Sequence, residues 1–153
     1  MGVVAVREKI YEAVMDASPE GAVELFHGYT YSGIPVAVSA AIAVQKIFEK
    51  EDIFNKVKKL SKYFEDGLHS LKDLGCVDSI RNYGLLGGVD ISMRDKPGKA
   101  GFNVYKKCYD AGVNIKPTGD ALIIAPPFVC EKKHIDEIIE KMRTGIKNHL
   151  NSN

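Results

Sequence analysis

Residues 26–35, FHGYTYSGIP, place hydroxyl groups and glycines directly in front of a long apolar run. Thr30 and Ser32 carry hydroxyls that can donate hydrogen bonds to an anion, and Gly28 and Gly33 let the backbone approach a ligand closely. The apolar run predicts a helix, and the unpaired N–H groups at a helix N-terminus favour phosphate. The segment therefore indicates a phosphate-binding loop. The alternative is a plain loop that enters a core helix.

Other residues with catalytic potential do not form a recognisable arrangement. His27 could act as a general base, but no Ser, Cys or carboxylate stands at a spacing typical of a nucleophilic triad. Tyr29 and Tyr31 could flank a ligand or pack beside the helix. Glu24 and Asp90 are isolated carboxylates in the sequence, so no acid/base pair is predicted.

The remaining histidines and the cysteines are predicted to be structural. Helical spacing places three histidines on amphipathic helices, where we expect surface positions: His69, His134 and His149. The three cysteines are far apart, and none has the spacing of a zinc site: Cys76, Cys108 and Cys130. We expect reduced thiols that act as small apolar side chains, and no metal site.

Composition excludes several classes of partner. The net charge is +1, and the 21 basic and 20 acidic residues are interspersed, so no nucleic-acid-binding surface is predicted. No apolar run reaches the roughly 20 residues that a membrane span needs, and the apolar start MGVVAV is too short for a signal peptide. We expect a cytoplasmic protein of ordinary globular composition, with no membrane partner.

The period of apolar residues predicts helices in the first half of the chain. Residues 2–6 are predicted to form a buried strand, and residues 7–17 a helix. The segment from Pro35 to about residue 49 is apolar on all sides, which is typical of a buried helix. A further amphipathic helix is predicted over residues 52–73, with Asp52 as N-cap and Gly75 as the stop.

Beyond Gly75 the pattern alternates between strands and helices. Two strand pairs are predicted, residues 77–82 with 85–92 and residues 113–116 with 121–125, and the helices are residues 102–111 and 132–150. The predicted fold class is α/β with an α+β C-terminal part, in which helices cover one face of a small antiparallel sheet.

Four segments resemble the class III aminotransferases, which are pyridoxal-phosphate enzymes. HGYTYSGIP is similar to the family's HGxTYSGHP, and MGVVAV to the strand that follows its pyridoxal-binding lysine. RNYGLLGGVD and GVNIKPTGDALIIAPP resemble the later RxxGLxxGIE and GLxxRxxGDxxxxxPP segments. The likeness within the family is to the omega-amino acid:pyruvate aminotransferases, although Ile34 stands where that subgroup commonly has His.

The resemblance implies a cofactor and roles for particular residues. Thr30, with the backbone N–H groups around Tyr29 and Thr30, would bind the phosphate of pyridoxal 5'-phosphate held by the partner subunit of a homodimer. Lys116 matches the position where the family usually has an arginine that receives the α-carboxylate of the substrate; the alternative is a solvated lysine at a strand end whose stem lies on apolar neighbours. Gly119 and Asp120 match the turn after it. No catalytic residue is implied within the chain, because the Schiff-base lysine and the acidic partner of the pyridine ring lie upstream in the family.

The resemblance also implies a domain organisation and an activity. Residues 1–50 would be the end of the large cofactor-binding domain plus the interdomain helix, and residues 51–153 the small C-terminal domain. The parent enzyme would move an amino group from an omega-amino acid or amine to a keto acid such as pyruvate, and the fragment alone is expected to be inactive. The alternative hypothesis is a non-catalytic module that binds a phosphorylated small molecule or mediates dimerisation.

Overall fold

A computed structural model describes residues 2–22, 30–92 and 98–152. The chain divides into two compact units, Met1–Lys50 and Glu51–Asn153. The first unit contains two helices, α1 (Glu8–Asp16) and α2 (Pro35–Lys50). Both helices were predicted from the sequence. Pro35 stands in the first turn of α2, where a missing N–H costs no intrahelical hydrogen bond.

Two predictions for the first unit are wrong. Residues 2–6 form no strand, and the side chains of Val3 and Val4 are 77% and 91% exposed. No residue of α2 is buried. The physical reason is the same in both cases: a strand needs a neighbouring ladder and an apolar helix needs a packed partner, and the described part of this unit supplies neither.

The second unit is an α+β domain, as predicted. Its helix α3 (Ile53–His69) continues as a 3₁₀ segment (Ser70–Leu74) and stops at Gly75, whose φ of 70° is left-handed. The elements that follow are β1 (Val77–Tyr83), β2 (Leu86–Ile91), α4 (Ala100–Asp110), β3 (Lys116–Thr118), β4 (Ala121–Ile124) and α5 (Lys132–Leu150). The strands form one antiparallel sheet in the order β1-β2-β4-β3.

The start of α3 differs from its prediction. Asp52 occupies the N-cap position, but it has a left-handed φ of 51° and its side chain makes no capping hydrogen bond. The carboxylate instead accepts hydrogen bonds from the Asn55 side-chain amide, at 2.8 and 3.0 Å. A side-chain donor one turn ahead therefore replaces the backbone N–H as the partner of this acceptor.

Helices α3 and α4 of the second unit pack against one face of the sheet, and α5 packs against these two helices. Val89 and Leu122 are opposite each other in the β2–β4 register, and both are fully buried beneath the helices. Gly87 lies beneath α3, since a Cβ there would stand 2.5 Å from Leu68. Alternation along the strands puts the intervening residues on the other face, which we call the open face: Ser79, Arg81, Tyr83, Leu86, Gly88, Asp90, Lys116, Thr118, Ala121 and Ile123.

The crossing of α4 and α5 depends on close backbone contact. A Cβ at Gly145 would lie 2.7 Å from both the backbone nitrogen and the Cα of Cys108. Gly145→Ala is therefore expected to lower the free energy of unfolding by about 1–3 kcal/mol. At an ordinary interior helix position the same change would raise it by up to about 1 kcal/mol. Urea unfolding followed by circular dichroism measures the difference.

Gly67→Ala on α3 is the matched control for this prediction. The three atoms nearest its added methyl group would be side-chain atoms of Ile139 and Ile135, the nearest at 3.1 Å, and a side chain can shift by the few tenths of an ångström required more easily than a backbone can. The control should be close to neutral. A loss of stability at Gly67 equal to that at Gly145 would contradict the role given to the backbone contact.

Candidate functional site

The predicted phosphate-binding loop is described from Thr30 onward, while His27, Gly28 and Tyr29 lie outside the described residues. Residues 30–33 form a turn directly before α2, and Gly33 has a φ of 67°, which a side chain would disfavour. Thr30 and Ser32 are exposed, so their hydroxyl groups are open to a ligand. The exposure of Thr30 satisfies a condition for anion binding, but its role stays a prediction.

The N-terminus of α2 is compatible with an anion. The first turn of the helix carries no acidic side chain, so no carboxylate of that turn opposes a bound negative charge. The first N–H groups of a helix lack intrahelical acceptors and point toward this end. Thr30, Ser32 and these backbone groups together fit the phosphate end of a cofactor such as pyridoxal phosphate.

Lys116 is the first residue of β3 and lies on the open face, opposite Ile123 in the β3–β4 register. It is exposed, and within the described residues it forms no ion pair. It lines a cavity of about 600 Å³ together with Tyr105, Asn114, Ile115, Pro117, Ile123 and Ala125. Lys116 is the only charged residue among these seven, so the cavity presents one positive charge that no lining carboxylate neutralises.

The turn after Lys116 is fixed to two other elements. Gly119 has a φ of 59°, as a tight turn between β3 and β4 requires. The carboxylate of Asp120 accepts hydrogen bonds from the backbone N–H groups of Gly98, at 2.8 Å, and Gly101, at 3.4 Å. The backbone carbonyl oxygen of Asp120 accepts a hydrogen bond from the backbone N–H of Ile91 at 2.9 Å. The turn is thus held by both α4 and β2.

A polar cluster on the far side of the open face was missed by the sequence analysis. The Asp90 carboxylate accepts hydrogen bonds from Arg81 and Ser79, which lie on the neighbouring strand β1. The Arg81 guanidinium, followed by the Ser79 hydroxyl, holds the pKa of the Asp90 carboxyl below its usual value. The sequence signal for this cluster is the alternation of polar residues in two paired strands, but it can be recognised only when the register of the two strands is known.

The histidines only partly follow their prediction. His69 is exposed, and the Nδ1 atom of His134 accepts a hydrogen bond from the Glu131 N–H at 3.0 Å, which completes a capping box at the start of α5. His149 is buried, with 4% exposure, so its predicted surface position is wrong. Its position on the packed side of α5, near the C-terminal end, explains the burial.

The cysteines are free, and two of them are buried, as expected of structural thiols: Cys76 and Cys108. Burial raises the pKa of the Cys108 thiol to about 12, which leaves it protonated and unreactive at neutral pH. Cys130 is partly exposed, and burial also raises its pKa. Among residues 2–22, 30–92 and 98–152, no group of His, Cys, Asp and Glu side chains could hold a metal ion. No helix in the same ranges has the length and apolar character needed to cross a bilayer.

Comparison with known proteins identifies the family. The model of the class-III aminotransferases matches residues 1–146. The chain belongs to this family. This confirms the resemblance carried by the four sequence segments.

The similar proteins of known identity are also aminotransferases. The chain is 39% identical over 143 residues to an omega-aminotransferase of Caulobacter vibrioides, covering 93% of this chain and 32% of the relative. It is 36% identical over 146 residues to the omega-amino acid–pyruvate aminotransferase of Pseudomonas putida, covering 92% and 32%. The chain thus spans about a third of the length of these class-III relatives.

Solved structures of aminotransferases share the fold. The crystal structure of adenosylmethionine-8-amino-7-oxononanoate aminotransferase from Methanocaldococcus jannaschii superimposes with a TM-score of 0.76 at 30% identity. The match covers 92% of this chain and 34% of that one. The predicted fold, a portion of the aminotransferase fold with an antiparallel sheet and helices on one face, is confirmed.

The Arg81–Asp90 pair of this aminotransferase chain leads us to predict that stability depends on pH through the Asp90 carboxyl. The pKa of the Asp90 carboxyl is lower in the folded protein than in the unfolded chain. Its ionised form therefore stabilises the fold at pH values above the unfolded-state pKa of about 3.9. This stabilisation is lost as the pH falls through the folded-state pKa. Arg81→Gln is expected to raise the Asp90 pKa toward its ordinary value. The carboxyl carbon chemical shift of Asp90, followed through a pH titration, measures it.

Arg143→Gln is the matched control, because Arg143 makes a comparable pair with Asp73 on the helical side of the domain. It should leave the Asp90 titration unchanged. A wild-type Asp90 midpoint in the Arg81 variant would show that the guanidinium does not set this pKa.

Proposed function

We propose that the chain is the C-terminal portion of a pyridoxal-phosphate-dependent transaminase that moves an amino group from an omega-amino acid or amine to a keto acid such as pyruvate. The family match over residues 1–146 carries this proposal. The four segments stand in the family's order, and relatives at 36–39% identity are named as omega-aminotransferases. Residues 1–50 would belong to the large domain and the interdomain helix, and residues 51–153 to the small domain, of a cytoplasmic homodimer.

Thr30 would bind the cofactor phosphate. In a homodimer, the hydroxyl of Thr30 and the first N–H groups of α2 would donate hydrogen bonds to the phosphate oxygens of the partner subunit's cofactor, beside the backbone of Tyr29. When bound, pyridoxal phosphate supplies an electron sink that labilises bonds at the amino-bearing carbon. The loop's contribution is binding and orientation, since the phosphate takes no part in the proton transfers.

Lys116 would receive the carboxylate of the keto acid. Among the described residues that line its cavity, Lys116 carries the only charge, and the ammonium is exposed, so an incoming carboxylate could reach it from solvent. An ammonium is a point charge with three rotatable donors, whereas the family's usual arginine offers a planar bidentate fork. Lys116 should therefore attract α-carboxylate acceptors but orient them less strictly than arginine does.

The Thr30 assignment predicts a loss of cofactor affinity in the full-length transaminase. Thr30→Val removes one hydroxyl donor to a charged phosphate, which should weaken pyridoxal phosphate binding by about ten- to a hundredfold. Equilibrium dialysis of the apoenzyme measures the dissociation constant. Thr30→Ser keeps the hydroxyl and should bind close to wild type.

Equal affinity of the Val and Ser variants for pyridoxal phosphate would remove Thr30 from the phosphate site.

The 153-residue chain alone, assayed in parallel with pyridoxal phosphate, an omega-amino acid and pyruvate, should form no alanine. None of its own lysines is expected to be the Schiff-base lysine. Turnover by the isolated chain would contradict that part of the proposal and require a catalytic lysine within residues 1–153.

The Lys116 assignment predicts a change in acceptor recognition. In the full-length enzyme, Lys116→Arg should lower the KM for pyruvate by roughly three- to tenfold through bidentate contact. An aldehyde acceptor without a carboxylate should show little change. Steady-state kinetics with both acceptors measures the two values, and Lys59→Arg on the exposed side of α3 is the control. An unchanged KM for pyruvate in the Lys116 variant would refute carboxylate recognition by this residue.

A further inference from the structure

We propose that Asp120 is a positioning residue that sets the width of the Lys116 cavity and thereby the affinity for the keto acid's carboxylate. The inference rests on the proposed function of Lys116. It adds a residue that touches neither substrate nor cofactor and acts through the placement of two walls of the cavity. The observations that carry it are the hydrogen bonds of Asp120, the contact at Gly101 and the origin of the residues that line the cavity.

The Asp120 side chain joins the β3–β4 turn to the start of α4. Oδ2 accepts a hydrogen bond from the Gly98 N–H at 2.8 Å, and Oδ1 accepts from the Gly101 N–H at 3.4 Å. Gly101 is the second residue of α4, so the carboxylate lies at the end of the helix where a negative charge is favoured. Donor groups that α4 cannot satisfy itself are therefore satisfied by a residue of the hairpin.

A second contact holds the same two elements together. A Cβ at Gly101 would overlap the carbonyl oxygen of Gly119 and lie 3.0 Å from the Cα of Asp120. Only glycine permits so close an approach of the helix to the turn. The backbone of Asp120 is in addition bound to Ile91 of β2. The turn, the helix and the central part of the sheet meet at this one residue.

This junction controls the cavity because the cavity walls come from the elements that it joins. Tyr105 belongs to α4, whereas Lys116 and Pro117 belong to β3. β3 is an edge strand of three residues that pairs only with β4 and also contacts α4, so its position depends on how the hairpin is held against that helix. A shift of the turn relative to α4 would move Lys116 away from the Tyr105 wall. Asp120 therefore fixes the distance between the charge that would bind the carboxylate and the opposing wall.

The test is a double-mutant cycle in the full-length holoenzyme. Lys116→Ala, Asp120→Ala and the double variant are compared by steady-state kinetics with pyruvate. Asp120→Ala should raise the KM for pyruvate about tenfold and change kcat by less than about twofold, the pattern of lost ground-state binding. In the Lys116→Ala background the same change should raise the KM by less than about twofold, because the two residues act as one unit. Asp110→Ala, at the exposed end of α4, is the matched carboxylate control.

A purely structural role predicts a different pattern. If Asp120 only stabilised the hairpin, its replacement would lower activity equally with and without Lys116, and that result overturns the inference. An unchanged KM in Asp120→Ala also overturns it, while leaving the role of Lys116 intact provided that Lys116→Ala raises the KM. If Lys116→Ala leaves the KM unchanged, the proposed role of Lys116 fails and the inference fails with it.

Asp120→Asn keeps the test decisive where the alanine variant does not fold. The amide oxygen can still accept a hydrogen bond from the start of α4, but the negative charge is lost, so the KM should rise by about threefold. Hydrogen exchange of the 153-residue chain provides a readout without activity. Exchange should accelerate in residues 116–124 of the Asn variant and stay unchanged in β1. A wild-type KM together with wild-type exchange in this variant refutes the inference.

Discussion

The structure of residues 51–153 depends on one constraint: α3 and α4 pack against the same face of the sheet, and α5 packs against these two helices. Glycines make this packing close, since Gly87 lies under α3, Gly101 touches the β3–β4 turn, and Gly145 contacts the backbone of α4. With Val89 of β2 and Leu122 of β4 directed to that face, alternation and strand pairing place Asp90, Arg81 and Lys116 on the other. The open face, which carries Lys116 and the Arg81–Asp90 pair, is therefore a direct consequence of the core.

Signals in the sequence predicted most of the fold because they are local. The periodicity of apolar residues located all five α-helices found in the described residues, and Gly75, Gly84, Gly112 and Gly119 adopt the positive φ that their turns require. The failures share a dependence on distant partners. A β-branched run such as residues 2–6 forms a strand only beside another strand, the burial of α2 depends on what packs against it, and the position of His149 depends on the angle at which α5 meets the core.

The candidate site was predictable to a different extent. The order of four motifs identified the family, and the family model that matches residues 1–146 confirms it. Composition and spacing alone predicted only a loop suited to phosphate. They could not single out Lys116, because its candidacy depends on its position on an edge strand and on the uncharged residues that line the cavity beside it. The Arg81–Asp90–Ser79 cluster was invisible in the sequence, since its members are up to eleven residues apart and meet only through the β1–β2 register. The roles of Thr30 and Lys116 and the division into large and small domains stay proposals that rest on the family.

A lysine in place of arginine makes the placement of the backbone more important for carboxylate recognition. A guanidinium fork orients the carboxylate through two parallel hydrogen bonds. Because the arginine side chain itself sets this orientation, small shifts of the strand that carries it matter less. An ammonium attracts the same carboxylate without fixing its angle, and the orientation must then come from the surrounding walls. In this chain those walls include Tyr105 on α4 and Ile123 on β4. Because Asp120 joins the hairpin of β3 and β4 to the start of α4, the proposed attraction by Lys116 and the proposed geometric control by Asp120 would be complementary parts of one binding surface.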